Sequence, residues 1–255
     1  MDTWIWGPIA WRLLEDISYR WDIDQQINNH SKQEHADMTL FLQSLKYVLP
    51  CVHCRRHYGD NINKSPFEQK LRQGTLFRWI YELHELVNSD TLKQTYSDRV
   101  QVNLDPEFKH PVMGFVALLK KLEVYSQNCS ISNLIDLLYI ISDNLYVIPQ
   151  DMKRSDKIMW HIVFLQCLPK VIAKIPTLSN LSIEWKTNLK NSGISEKDIV
   201  ESDQSMVSFL NKLDRKNLTP QEPGSVAQTI KRYNKACANY VPDTKHWYPE
   251  VELTL

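Results

Sequence analysis

The chain has 255 residues, with 30 basic and 30 acidic side chains and 43% hydrophobic content. That length and apolar fraction can build one large or two medium cored domains, while the balanced charge and the lack of a dense Lys/Arg block provide no field to gather nucleic acid or an anionic membrane. Six glycines, with no Gly-x-Gly-x-x-Gly or Walker-type loop among them, exclude glycine-rich phosphate cradles, and five cysteines are an odd count unlike a disulfide framework.

Met1-Asp2-Thr3-Trp4 shows no basic region leading into an apolar core, so no secretory leader is expected, and no apolar run approaches membrane-spanning length. The Asn-x-Ser/Thr patterns at Asn128, Asn180 and Asn217 are therefore read as coincidence. A cytoplasmic, non-secreted setting is expected, in which disulfide chemistry would be catalytic rather than structural.

In chain order, Trp4, Trp6 and Trp11 surround a Gly7-Pro8 break. Trp11, Leu14, Ile17 and Trp21 predict a helix from about Pro8, followed by a polar loop over 24–35. Met38, Phe41, Leu42, Leu45 and Val48 predict a second helix over about 36–49. It leads into Leu49-Pro50-Cys51-Val52-His53-Cys54-Arg55-Arg56-His57-Tyr58. A Cys-x-x-Cys pair can close a disulfide, offer thiolates to a metal, or cycle between dithiol and disulfide. Pro50 as first helical residue would put the pair in a first helical turn, where unpaired amides and the dipole favour a thiolate, and Arg55 and Arg56 add positive charge. A polar connection then leads to a helix over 76–88 with Thr75 as its cap, on which Tyr81, His84 and Asn88 share a face. A further short helix is expected near 96–102, and a boundary near residue 103.

Asp105-Pro106-Glu107 opens the second half, with an apolar stripe from Phe108 to Leu122. Residues 131–145 are apolar nearly all round, as in a buried helix; 153–175 reads as a helix kinked or broken around Pro169, and 195–213 and 225–240 read as two more. The expected fold is all-α: a helical bundle over 1–103 and a second helical domain over 104–255, serving recognition, packing or dimerisation. Cys129 and Cys237 are candidate shuttle thiols, and Cys167 is a buried small hydrophobe.

Three pieces stand in order: Trp6-Gly7-Pro8-x-x-Trp11-x-x-Leu14, Leu49-Pro50-Cys51-x-x-Cys54 and Trp79-x-x-x-x-His84-x-x-Val87-Asn88. Together they resemble the Erv/ALR family of FAD-dependent sulfhydryl oxidases, most closely the versions encoded by large DNA viruses, over residues 4–93. The resemblance implies a four- or five-helix bundle around FAD, with Cys54 next to the flavin and Cys51 exchanging with the incoming disulfide. It implies cofactor contacts from Gly7, Trp11, His57, Trp79, His84, Val87, Asn88 and Lys93. It further implies protein thiols as substrates, virion proteins among them, O2 as acceptor with H2O2 as product, a homodimer, and the host cytoplasm or virion as location. The chain departs from the family pattern at Glu15, Glu85 and Asp90-Thr91-Leu92, which puts acidic groups where a phosphate-rich cofactor would prefer neutral or donor groups. Two rival readings are a non-catalytic interaction protein of the same fold, and a zinc module built on Cys51, Cys54 and His53 or His57. The second lacks another Cys-x-x-Cys or His-x-x-x-His, so no metal is expected.

Overall fold

In a computed structural model of the chain, residues 3–90 and 152–200 are described, together with helical positions within 134–141 and 205–213. Among these residues every regular element is a helix, in accord with the all-α reading, and all of them fall in one compact unit, Asp2–Gln221.

Helix α1 spans Thr3–Asn28. It starts ahead of the expected Pro8 and carries that proline in its second turn, where the Trp4 carbonyl loses its helical amide partner. It also runs through residues expected to be loop. Gln25 accepts from the His30 amide (3.1 Å), and the chain reverses at Asn29, whose φ of 51° suits an asparagine. Helix α2, Lys32–Val48, opens on a capping box in which Ser31 and Glu34 satisfy each other's amides. It buries Met38, Phe41, Leu42, Leu45 and Val48 as its periodicity requires.

Helix α3, Val52–Lys64, extends past the polar connection expected after Tyr58, and the Tyr58 hydroxyl ties it to α2 by donating to the Leu42 carbonyl at 2.9 Å. A short α4, Glu68–Gln73, ends at Gly74, whose left-handed φ of 63° and close approach to Gln25 suit glycine. Helix α5 spans Leu76–Asp90. Its cap is not the expected Thr75. Asp22 of α1 accepts from the Leu76 and Phe77 amides at 2.9 and 2.8 Å, while the Thr75 hydroxyl is buried without a hydrogen bond. This bond and the Tyr19–Phe77 edge contact set α1 and α5 antiparallel.

In the second half, α6 spans Arg154–Val171, passes through Pro169, and tightens into a 3₁₀ turn at Ile172–Lys174. It lies antiparallel along α2: Trp160 stacks on Tyr47 at 4.7 Å, Phe164 meets Phe41 at 5.7 Å, and Lys170 pairs with Asp37 at 2.7 Å. Lys174 bridges Asp24 of α1 (2.6 Å) and Glu34 of α2 (2.7 Å). Helices α7, Ser179–Ser192, and α8, Glu196–Val200, follow, the first in a stretch with no clear helical periodicity. Trp185 of α7 is fully buried against the edge of Phe209. Leu134, Ile135, Leu137, Leu138, Ile140 and Ile141 are all buried, as expected of an all-round apolar helix. The boundary near 103 and the helices expected at 96–102, 105–122 and 225–240 lie outside the described residues.

Candidate active site

Cys51 is the N-cap residue of α3, not a member of its first turn, and Pro50 stands two positions earlier than expected, just before the cap. With φ −100° and ψ 127°, Cys51 turns its sulfur back over the helix start, where the Cys54 amide donates to Sγ at 3.3 Å. The thiol thus takes the capping role usual for Ser or Asp, and the amides that favour a capping oxyanion favour a thiolate here. The Cys54 thiol donates to it as well. That bond is the largest cause; burial opposes it, the Cys54 and His53 amides add to it, and the Cys51 thiol is lowered to about 6. Cys54 is pushed up in turn, chiefly by donating its hydrogen bond to Cys51 and by burial. Both sulfurs are half-buried and free of disulfide. These opposite shifts favour a thiolate on Cys51 held by the Cys54 thiol.

Arg55, 5% exposed, follows directly, and its Nη1 donates to the Leu49 carbonyl at 2.7 Å, closing the turn that carries Pro50 and Cys51. His57 lies exposed on α3.

A second cluster sits between α1 and α5. Trp11 and His84 stack with ring centroids 4.2 Å apart and planes 9° from parallel, and His84 Nδ1 donates to Glu15 Oε1 at 2.9 Å. Trp11, Glu15 and His84 are all half-buried, and Gly7, one turn before Trp11, has open space where a side chain would be. Val87 is half-buried further along α5. The backbone at Asn88 is helical, one turn beyond His84, while the side chains of Asn88 and Glu85, and all of Lys93, lie outside the described residues. Trp79 is a core residue, 2% exposed, with Nε1 donating to the Ser65 carbonyl at 2.8 Å and its ring edge-on to Phe67.

Sequence reasoning missed Asp16 of α1, buried without a hydrogen bond and 3.8 Å from Arg20. Burial, ahead of Arg20's opposing charge, raises its carboxyl to about 6. The polar spacing of α1 carries no signal of this. Cys167 is buried on α6 as expected, its thiol pushed up to about 11 by burial and then by Asp37. Cys129 and Cys237 lie outside the described residues. Among the described residues, no three His, Cys, Asp or Glu side chains are placed to hold a metal ion.

Residues 11–108 match the Erv1 / Alr family. The chain is 28% identical over 100 residues to an FAD-linked sulfhydryl oxidase of Acanthamoeba polyphaga mimivirus; the match covers 38% of this chain and 66% of that relative, just under two thirds of its length. It is 27% identical over 114 residues to an FAD-linked sulfhydryl oxidase of Invertebrate iridescent virus 3, covering 42% of this chain and 73% of that relative. No solved structure matches the chain.

Proposed function

We propose, from the Erv1 / Alr domain that the chain carries over residues 11–108, that this protein is an FAD-linked thiol oxidase that makes disulfides in protein dithiols. The observation that carries the proposal is the position of Cys51: a thiol at a helix N-cap, held near pH 6 by the Cys54 thiol and two amides, is an exchange-ready sulfur at neutral pH.

The residues present fit a flavin nucleotide. The half-buried Trp11–His84 stack offers a planar aromatic surface, Glu15 fixes the imidazole's orientation, and the space beside Gly7 is open to a close approach. Trp11, His84 and Val87, with Gly7, would hold it, and the family resemblance adds Asn88 and Lys93; Trp79 would support the bundle from within, and His57 is exposed on the dithiol helix. When bound, FAD supplies the two-electron acceptor that links the dithiol to O2, which leaves as peroxide.

The chain's own residues perform the exchange. An incoming client thiolate attacks Cys51 Sγ in the Cys51–Cys54 disulfide, forming a client–Cys51 bond and leaving the electron pair on Cys54. A second client thiolate then releases Cys51, so the client loses two electrons and the pair gains them. Glu15 replaces an expected neutral group without placing a bare charge at the site, because His84 takes its oxygen.

Virion proteins in host cytoplasm or particle are the proposed clients, supported by the two viral relatives, and a homodimer is the proposed assembly. The deciding test is the visible spectrum of the purified protein. Flavin bands that bleach with dithiol under argon and return with oxygen are expected, and Cys54→Ser should lose dithiol-dependent oxygen uptake. A colourless protein that cannot be reconstituted with FAD would refute the proposal.

A further inference from the structure

We propose that His30, in the turn between α1 and α2, is the pivot of a proton-sensitive clasp. Neutral, its imidazole accepts from Lys174 and helps hold the 3₁₀ turn Ile172–Lys174 against the first half of the chain; charged, it gives up Lys174 and competes with it for Glu34. The inference is independent of the thiol-oxidase reading and rests on the geometry of this cluster.

The partners fix the proton positions. His30 Nε2 lies 2.9 Å from the Trp21 carbonyl oxygen, which can only accept, so the neutral ring carries its proton there and Nδ1 keeps a lone pair. Lys174 Nζ, which can only donate, lies 3.2 Å from Nδ1. The same ammonium reaches Asp24 Oδ2 at 2.6 Å and Glu34 Oε1 at 2.7 Å. Its three donors thus meet three acceptors, one each from α1, the interhelical turn and α2. The ring is also held without Lys174: its side chain is 2% exposed and lies flat against Trp21, with centroids 3.5 Å apart and planes at 18°.

A proton added at Nδ1 turns an acceptor into a second donor and sets a cation 3.2 Å from the Lys174 ammonium. Glu34 Oε1, 3.8 Å from Nδ1, is the carboxylate oxygen within reach. Glu34 Oε2 is taken by the Ser31 amide and hydroxyl, both at 2.8 Å, so imidazolium and ammonium compete for one oxygen. The Trp21 carbonyl and indole face suit the charged ring where it stands. Lys174, on a flexible and partly exposed stem, is the group that moves. His35 of α2 meets Trp21 and His30 edge-on; burial, then the His30 and Arg72 charges against that of Glu34, lower its pKa, so it stays uncharged. Lys170, one turn before Lys174, is engaged with Asp37. The clasp is therefore complete when His30 is neutral and loosens as pH falls through the range in which histidines charge.

The Ile175 and Leu178 amides, bonded to the Ile172 and Ile175 carbonyls at 3.0 and 2.9 Å, report on the turn. Their hydrogen exchange in the full chain, corrected for intrinsic rates and read by mass over residues 172–178, should quicken about tenfold between pH 8 and pH 5. Exchange over 38–48 of α2 should not. His30→Phe keeps a ring on Trp21 but cannot charge, and its corrected rate should stay constant across this range. Lys174→Met should also stay constant, at the fast value, because no ammonium is left to displace. His35→Phe should keep the parent response. The proposal is overturned by a flat parent rate, by a response that survives in His30→Phe or Lys174→Met or is lost in His35→Phe, or by equal quickening of α2, which would mean acid unfolding of the whole fold. Should His30→Phe not fold, Lys174→Met against the parent still decides.

Discussion

His84 lies flat on Trp11 while its Nδ1 bonds to Glu15, so one imidazole is held by a ring on one side and a carboxylate in its own plane. Two helices antiparallel to each other supply the three groups. Glu15→Ala would leave the stack but free the imidazole to rotate. We expect the variant to fold and to retain FAD about tenfold less tightly, the scale of one lost charge-assisted hydrogen bond. Flavin fluorescence titration of the stripped protein measures it, and unchanged affinity would show that Glu15 serves only the helix pair.

The Cys51 thiol owes its low pKa first to the Cys54 thiol. Cys54→Ala should therefore move the pH midpoint of Cys51 alkylation up by at least one unit from about 6, leaving the amide contribution behind. Absorbance of the thiolate at 240 nm against pH gives the midpoint. A midpoint that stays near 6 would assign the effect to the helix start alone.

Asp16 should make the fold less stable as pH rises. Its carboxyl is raised from 3.8 to about 6 in the folded state, so its favourable contribution is complete below pH 4 and is lost as pH climbs through 6. The cost above pH 7 is about 3 kcal/mol. Asp16→Asn removes it, so the melting temperature of the variant relative to the parent should climb between pH 4 and 7. A difference that stays flat with pH would contradict the assignment.

Phe164 joins the two halves of the chain. It is 2% exposed and packs on Phe41, so Phe164→Ala should cost about 3–5 kcal/mol. Tryptophan fluorescence and Cys51 accessibility should lose their native values at one lowered urea midpoint. Two separate midpoints, with the thiol site unaffected, would mean that the first 90 residues stand without α6.

What could be read from the sequence followed local pattern. The α2 stripe from Met38 to Val48 and the α5 stripe around Leu76, Ile80 and Leu83 carry their helices in their spacing, and Cys51-x-x-Cys54 announces its own chemistry. Ser31 and Glu34 held a capping box that would have moved the start of α2 four residues earlier. Other features are not local. Asp22 caps a helix 54 residues away, and Glu15 finds its partner 69 residues along the chain. Spacing within a segment cannot reveal such bonds. For the same reason Glu15 looked like a misfit near a phosphate-bearing cofactor until its histidine was seen. The continuation of α1 through Gln25 and Gln26, and the whole of α7, lacked an apolar rhythm because tertiary bonds and a few buried anchors such as Trp185 hold them.

The clasp of Lys170 on Asp37 spans 133 residues, and that of Lys174 on His30 spans 144. During synthesis at roughly 5–20 residues per second, α2 and the dithiol behind it leave the ribosome about ten seconds before the helix that packs on α2. Through that interval the Phe41 face is bare while the reactive Cys51 is already made. The chain's own maturation therefore has an order: a reactive sulfur is made first, and the helix that covers the neighbouring Phe41 face arrives later.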